Sequence, residues 1–298
     1  MRRIIFIVLF SFLTLIAADT LVIDSVTIII PTKDNFTLNV GVTVTESIPP
    51  NPEESPRFIY NYTLINSENS VQPIHLFDIP WFPSPPAVPF EIEKIDTVIA
   101  PPGPRKVVVR GRPSWFTGLQ PGDSVSGFIV ITSQLPYPTD WYAVGYDTTF
   151  GPAIYGGPPY IGESEWIQDT LKKIYYKQTP YGPGKTGRTV GPGPEVPFPA
   201  IVAVESLEVL LDRCLEIGWI TDQKTRDHLW RILRRVKGHL NAGRLEQAKK
   251  ANQQFMDWVL KKREDQHHGT IKFEGYYVLY YRSKYLFSGT GGGGGPEE

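Results

Sequence analysis

The sequence predicts mixed β and α structure: an antiparallel β-sandwich, then a Pro/Gly-rich linker, then an antiparallel four-helix bundle. Three observations support this fold class. The first half contains short runs of β-branched and aromatic residues separated by turn-forming residues. The middle is dense in proline and glycine, and the last third has apolar residues at helical spacing. A length of 298 residues fits about two domains.

Residues 19–150 carry the strand signals. They contain seven segments rich in Val, Ile, Thr, Phe and Tyr, which favour a pleated, half-buried surface. A phase shift of the apolar alternation at Gly127 predicts a β-bulge. Several short strands with turns between them are typical of a β-sandwich. The predicted strands lie within residues 21–30, 35–46, 57–66, 71–79, 105–111, 123–133 and 140–150.

Residues 151–200 are predicted to be the linker, because their many prolines and glycines interrupt regular elements. Within this region, residues 163–178 predict a short helix. The stretch TPYGPGKTGR, residues 179–188, is interpreted as part of the connector. In this interpretation Lys185 and Arg188 are solvated charges.

The same stretch contains the end of a P-loop pattern, G-x-x-x-x-G-K-[ST], in Gly184, Lys185 and Thr186. The first glycine of that pattern is replaced by Thr179. Repeated prolines after Arg188 exclude the helix whose N terminus would hold phosphates. The sequence therefore argues against nucleotide binding.

Residues 201–287 predict four helices that form the bundle module. The first covers residues 204–217 and ends before Gly218, which suits a left-handed stop. Thr221 or Asp222 can cap the second helix, and Thr270 can cap the fourth. The second helix has an apolar stripe at helical spacing, made of Leu229, Leu233, Val236 and Leu240. The third has Ala248, Ala251, Phe255, Trp258 and Val259, and the fourth has Ile271, Phe273, Tyr276, Leu279, Tyr280 and Leu286.

The N terminus has the layout of a secretory signal peptide over residues 1–18. Two arginines precede an apolar run, and two small alanines follow it. The run is short for a spanning helix, which needs roughly 20 residues. We therefore expect a secreted protein, extracellular, at the cell surface or periplasmic, with no membrane span in the mature chain. An uncleaved N-terminal anchor is the alternative.

At the other end of the chain, the Gly-rich composition of residues 288–298 predicts a disordered tail.

The single cysteine and the charge distribution narrow the possible functions. Cys214 is the only cysteine and lies in an apolar helical pattern, which favours a buried thiol over a reactive one. Residues 19–200 carry 12 Lys/Arg against 18 Asp/Glu, and residues 201–287 carry 16 against 11. Arg231, Arg234 and Arg235 are interpreted as a solvated helix face. The formal net charge of −1 gives no reason to expect a nucleic-acid partner.

Several turns of the helical region form a recognisable pattern. Residues 218–220 form a Gly-x-Ile turn, LNAGRLEQA leads into the third helix with Phe255 further on, and residues 269–271 repeat Gly-x-Ile. This pattern resembles the FIMAH-type helical module that is appended to secreted bacterial proteins. The resemblance implies a helical fold and transfers no catalytic residue.

The β region carries a weaker resemblance. YNYTLINSENSVQPIHLFDI and LQPGDSVSGFIVITSQLPYP are similar to β-sandwich domains of secreted bacterial proteins of unknown function. Together, the two resemblances imply an exported two-module protein and no reaction.

Other motifs give weak signals for catalysis or metal binding. GDSVSG misses the G-x-S-x-G pattern of serine hydrolases, and its Ser124 and Ser126 suit the polar positions of a strand. The segment EDQHH offers Glu264, Asp265, His267 and His268 to a metal, but it lacks H-x-x-x-H or C-x-x-C spacing. Glu91 and Glu93 would serve a glycosidase only in a cleft. We assign no catalytic, cofactor-binding or metal-ligating residue.

Three tryptophans are candidate ligand contacts: Trp81, Trp115 and Trp141. Flat aromatic faces stack on sugar rings, although packing in the core and loops is the favoured explanation of such residues. The leading hypothesis is an exported, non-enzymatic structural or interaction protein whose partner is an extracellular protein or glycan. The alternative is a carbohydrate-binding β-sandwich, and the third hypothesis is a secreted hydrolase.

Overall fold

The computed structural model describes residues 18–23, 26–31, 34–48, 56–79, 95–101, 105–109, 112–145, 184–194, 199–266 and 269–287. Six sequence predictions lie outside these residues: the signal peptide up to residue 17, the helix over residues 163–178, the pair Glu91 and Glu93, Trp81, the metal-ligand candidates His267 and His268, and the tail. Within the described residues the chain is of mixed β and α structure, with antiparallel sheets followed by four helices. The predicted fold class is confirmed at that level.

The described strands form three antiparallel sheets. One has two strands, β1-β2; one has four, in the order β3-β4-β9-β6; and one has five, in the order β11-β10-β5-β8-β7. The first six strands are β1 (Ala18–Ile23), β2 (Val26–Pro31), β3 (Leu38–Ser47), β4 (Arg57–Asn66), β5 (Ile74–Asp78) and β6 (Ile95–Ile99). The others are β7 (Arg105–Val109), β8 (Arg112–Leu119), β9 (Ser124–Thr132), β10 (Pro136–Gly145) and β11 (Lys185–Pro192).

Strand predictions succeed where the alternation of apolar residues is strong. Strand β4 has the predicted bounds, and its buried and partly exposed residues alternate. The bulge is confirmed, because the register of β4 against β9 shifts between Tyr62 and Thr63, opposite Gly127 with its φ of 100°. Residues 21–30, predicted as one strand, belong to two antiparallel strands.

Aromatic side chains from the two larger sheets meet in one buried cluster. Tyr62 and Phe128 belong to the four-stranded sheet, and Phe77 and Trp115 belong to the five-stranded sheet. Ring centroids lie 6.2 Å apart for Tyr62 and Phe77, and 5.6 Å apart for Trp115 and Phe128. Burying a Phe side chain stabilises a protein by about 1.5–3 kcal/mol, so this cluster is a main source of sheet stability.

The region predicted as a linker contains a strand instead. Strand β11 pairs antiparallel with β10 over its whole length, from Pro136 opposite Pro192 to Ala143 opposite Lys185. Gly187 of this strand lies opposite Trp141, and a Cβ at Gly187 would overlap the indole ring. The glycines that indicate a linker in the sequence therefore make room here for the aromatic side chains of β10.

The helices are α1 (Ala200–Glu216), α2 (Gln223–Asn241), α3 (Leu245–Lys261) and α4 (Phe273–Lys284). The predicted stop of α1 is confirmed: Gly218 has φ 76°, and its N–H donates to Leu215 O at 3.0 Å. The N–H of Trp219 donates to Cys214 O at 2.8 Å, which completes a Schellman motif. Asp222 caps α2, since its carboxylate accepts from the N–H of Thr225 at 2.9 Å.

The two Gly-x-Ile segments of the helical region lie side by side. Ile220 and Ile271 form an antiparallel bridge, and both side chains are buried. The N–H of Lys272 donates to Trp219 O at 2.9 Å. These contacts connect the α1–α2 turn to the entry of α4.

The prediction for the fourth helix is wrong in its start and only partly right in its buried face. Helix α4 begins at Phe273, and Thr270 instead shares a hydroxyl hydrogen bond of 2.8 Å with Thr225. Ile271, Leu279 and Leu286 are buried as predicted, whereas Phe273, Tyr276 and Tyr280 are only half-buried. The buried residues of the helix are Gly275, Val278, Leu279, Arg282 and Ser283. No helix in the described part of the chain combines the length and the hydropathy that crossing a membrane requires.

Candidate functional site

The P-loop-like segment is an edge strand whose charges have partners. The Lys185 ammonium donates a hydrogen bond to the carbonyl oxygen of Phe36, and its Nζ lies 5.4 Å from the centroid of the Phe36 ring. Arg188 forms an ion pair with Asp140 on the neighbouring strand β10. Burial raises the pKa of Asp140, and the charges of Arg188 and Arg213 oppose that rise. Both cations thus have partners on neighbouring segments: Lys185 is half-buried against Phe36, whereas Arg188 remains exposed to solvent beside its ion pair.

Two of the three candidate tryptophans belong to the core. Trp115 is fully buried, and its indole N–H donates to the carbonyl of Ile99 at 3.1 Å. Trp141 is 8% exposed and packs over the backbone of Gly187. Because both side chains are buried, neither presents a ring face to a ligand, and the candidate assignment of both is corrected to core packing.

The other candidate catalytic and metal-binding residues in the described part of the chain form hydrogen bonds or ion pairs with their neighbours, or are buried. The hydroxyl of Ser126 shares a hydrogen bond of 2.8 Å with that of Thr63 across the sheet. Glu264 accepts from the N–H of Phe273 at 2.9 Å, and Asp265 pairs with Arg263. Burial raises the pKa of the Cys214 thiol, which keeps it protonated. The described residues include no group of three His, Cys, Asp or Glu side chains placed to hold a metal ion.

The most elaborate polar arrangement lies where α4 meets the sheets, and we call this contact the joint. It is formed by Arg282, Lys284 and three tyrosines of α4 and its C-terminal turn, against the ends of β3, β4, β10 and β11. The tyrosines are Tyr277, Tyr281 and Tyr285.

Arg282 is the centre of the joint. Its side chain is 4% exposed; Nε donates to Pro136 O at 2.7 Å and Nη2 donates to Pro194 O at 2.9 Å. The guanidinium carbon lies 5.0 Å from the centroid of the Tyr137 ring. Burial lowers the pKa of Arg282 to about 10, so the side chain remains charged at neutral pH. The buried guanidinium of Arg282 therefore connects α4 by hydrogen bonds to the start of β10 and to the residues that follow β11.

Space for this guanidinium depends on a glycine. A Cβ at Gly193 would lie 2.7 Å from Nη2 of Arg282 and would also overlap Tyr137. The glycine that follows strand β11 thus permits the close approach of the arginine.

A second set of contacts joins α4 to the edge strand β3. Glu46 forms an ion pair with Lys284 and accepts a hydrogen bond from the hydroxyl of Tyr285. The rings of Tyr281 and Tyr285 meet Phe58 edge-on, with centroids 5.4 and 5.8 Å away. Tyr277 forms a hydrogen bond with the backbone of Val44, and burial raises the pKa of this tyrosine. Helix α4 thereby covers part of a sheet edge that would otherwise expose backbone groups.

The helical region also has a surface where cations surround an aromatic pair. His228 of α2 lies on Trp258 of α3, with ring centroids 3.9 Å apart at an angle of 34°. The Nζ atoms of Lys261 and Lys262 lie 5.8 and 5.6 Å from the Trp258 ring. Burial lowers the pKa of His228, and the charges of Arg231 and Arg235 lower it further.

Comparison with known proteins finds no matching family model, no matching curated protein and no matching solved structure.

The sequence interpretation missed the joint. The available signal is an arginine inside an apolar helical stripe, next to an unusual number of tyrosines. An argument from periodicity treats that arginine as a break in the apolar stripe. A buried guanidinium is nevertheless tolerated when carbonyl oxygens accept its hydrogen bonds and an aromatic ring packs against it.

Proposed function

We propose that the chain is an exported, non-enzymatic interaction protein in which a β-sandwich carries an antiparallel four-helix bundle as one rigid body. The aromatic cluster between the two larger sheets supports the sandwich arrangement. The buried hydrogen bonds between Asn252 and Ser283, at 2.9 and 2.7 Å, support close packing of α3 on α4 in the bundle.

The observation that carries the proposal is the burial of Arg282 between the two modules. A buried charge costs several kcal/mol in real proteins unless hydrogen bonds compensate it. Modules that only need a tether do not require such a contact, and modules of one chain commonly move relative to each other. A fixed orientation lowers the entropy that a binding surface loses when it meets a partner. The joint therefore suits a protein that presents a surface.

Export rests on the layout of residues 1–18, and the single cysteine is compatible with it. Cys214 is buried, so the fold depends on no disulfide. The carbohydrate-binding alternative loses Trp115 and Trp141 as contacts, and any sugar contact must come from other residues. No observation in the described part of the chain favours the hydrolase.

The test combines an export assay with binding and turnover assays. The epitope-tagged full chain, produced in a bacterial host, is expected outside the cytoplasm and shortened by residues 1–18. The purified protein is then screened on a glycan array and against chromogenic esters, glycosides and peptides. We expect saturable binding and no turnover. Retention in the cytoplasm would contradict export, and turnover that one substitution abolishes would contradict the non-enzymatic role.

A further inference from the structure

The surface around His228 and Trp258 brings four cations close to a pair of aromatic rings. We call it the α2/α3 basic surface and define it by Arg231, Arg235, Lys261 and Lys262 together with the ring pair. Arg231, Arg235 and Lys261 are exposed, and Lys262 is half-buried. Two of them lie near the Trp258 ring, and Arg231 and Arg235 follow His228 by three and seven residues, which places them on the same face of α2.

Several cations elsewhere in this region pair with carboxylates. Arg226 pairs with Asp212 and Asp227, and Lys237 pairs with Glu205 and Glu208. Within the described residues, none of the four cations of the α2/α3 basic surface forms an ion pair with a carboxylate, although Arg231 donates Nε to the backbone carbonyl of Asp227 at 3.3 Å. Apart from that contact, their positive charges are available to an external anion.

The ring pair adds a flat apolar element between these charges. The half-buried Trp258 ring packs against the ring of His228, and Lys261 and Lys262 lie near the Trp258 ring. Indole rings provide a large rigid apolar area, and arginine forks bind carboxylate or sulfate oxygens in two parallel hydrogen bonds. An apolar face flanked by cations matches a sugar ring that bears acidic groups.

We propose that the α2/α3 basic surface binds an anionic polysaccharide, a chain of sugars bearing carboxylate or sulfate groups. This inference rests on the proposed role as an interaction protein, since it names the partner of that role. Arg231 and Arg235 lie one helical turn apart, about 6 Å along α2. Cations spread in this way suit an extended polymer with repeated charges better than one small anion.

The binding test uses heparin and polygalacturonate as anionic probes, with dextran as the neutral polymer and a short DNA duplex as the competing polyanion. We expect the purified full chain to bind both anionic glycans, to bind them more weakly as sodium chloride rises, and to leave dextran unbound. Each of the double variants R231Q/R235Q and K261Q/K262Q is expected to weaken heparin binding about tenfold or more.

The matched control is K249Q/K250Q, which removes the same two charges from exposed positions of α3 outside this surface. We expect this control to change heparin affinity less than about threefold. Trp258→Leu keeps every charge and removes the flat ring, and it is expected to weaken glycan binding several-fold. Circular dichroism before each titration separates loss of binding from loss of folding.

Three results would overturn the inference. Equal losses in the control and the surface variants would indicate a net-charge effect. Tighter binding of DNA than of either glycan, through the same residues, would make this a nucleic-acid surface. Absence of binding to both anionic glycans, together with binding of another partner, would leave the interaction role standing and remove the polysaccharide. Failure of the proposed function would instead appear as turnover or cytoplasmic retention.

Discussion

At the residue scale, Arg282 is the side chain on which the joint depends most. The Arg282→Met change removes both hydrogen bonds and leaves the carbonyls of Pro136 and Pro194 without this donor. An unsatisfied buried polar group costs about 1–3 kcal/mol, and relief of the buried charge offsets part of that cost. We expect the free energy of unfolding, measured by urea denaturation, to fall by about 2 kcal/mol or more.

Two control variants separate the effect of the planar guanidinium donors from the effect of the positive charge. Arg282→Lys keeps a cation but loses the planar arrangement of Nε and Nη2, so we expect an intermediate loss. Arg231→Met changes an exposed arginine and is expected to stay within about 0.5 kcal/mol. An Arg282→Met protein as stable as the parent would show that the guanidinium does not hold β10 and β11.

At the element scale, strand β11 shows what the sequence can and cannot predict. Its sequence, KTGRTVGP, has one strongly strand-forming apolar residue, Val190, and two glycines. The strand is fixed by its pairing with β10, whose Trp141 requires the space above Gly187. Such a requirement comes from a partner distant in sequence, so local composition predicts a linker at this position.

Local signals predict the elements whose causes are local. The alternation in β4 predicts its bounds, and Asp222 and Gly218 predict the start of α2 and the stop of α1. Helix α4 fails because its buried stripe includes Arg282, whose partners are backbone carbonyls of the sheets. Trp115 and Trp141 fail as ligand contacts for a related reason, since their burial depends on the packing of the sheets.

The role of Gly187 can be tested with a pair of substitutions in one strand. Gly187→Val places a side chain into the Trp141 indole, and overpacking of this kind costs about 1–3 kcal/mol. Thr186→Val, at the exposed neighbouring position, adds strand propensity without that overlap and is expected to be neutral or stabilising. Thermal denaturation measures both. Equal melting temperatures for the two variants would contradict packing of Trp141 on Gly187.

At the scale of the whole molecule, the joint relates the charge asymmetry of the chain to its cohesion. The β region is net acidic and the helical region is net basic, but in the described residues the joint contains one ion pair, Lys284 with Glu46. Its other contacts are hydrogen bonds and aromatic packing, which salt screens little. We therefore attribute the cohesion of the two modules mainly to short-range contacts.

Coupled unfolding follows from that attribution. Because the joint buries Arg282 and the rings of α4 against both sheets, neither module can unfold without exposing part of the other. We expect one calorimetric transition, with a calorimetric enthalpy close to the van't Hoff enthalpy, and little change in its shape in high salt. The double variant E46Q/Y285F removes the ion pair and the tyrosine hydrogen bond at Glu46 and keeps Arg282, so we expect the transition to broaden or split as the modules begin to melt separately. Glu216→Gln, which breaks an exposed ion pair with Arg213 within α1, is the control and should leave a single transition.

Two separate transitions in the parent protein would contradict coupling. An unchanged transition in E46Q/Y285F would assign the coupling to Arg282 and its carbonyl partners alone.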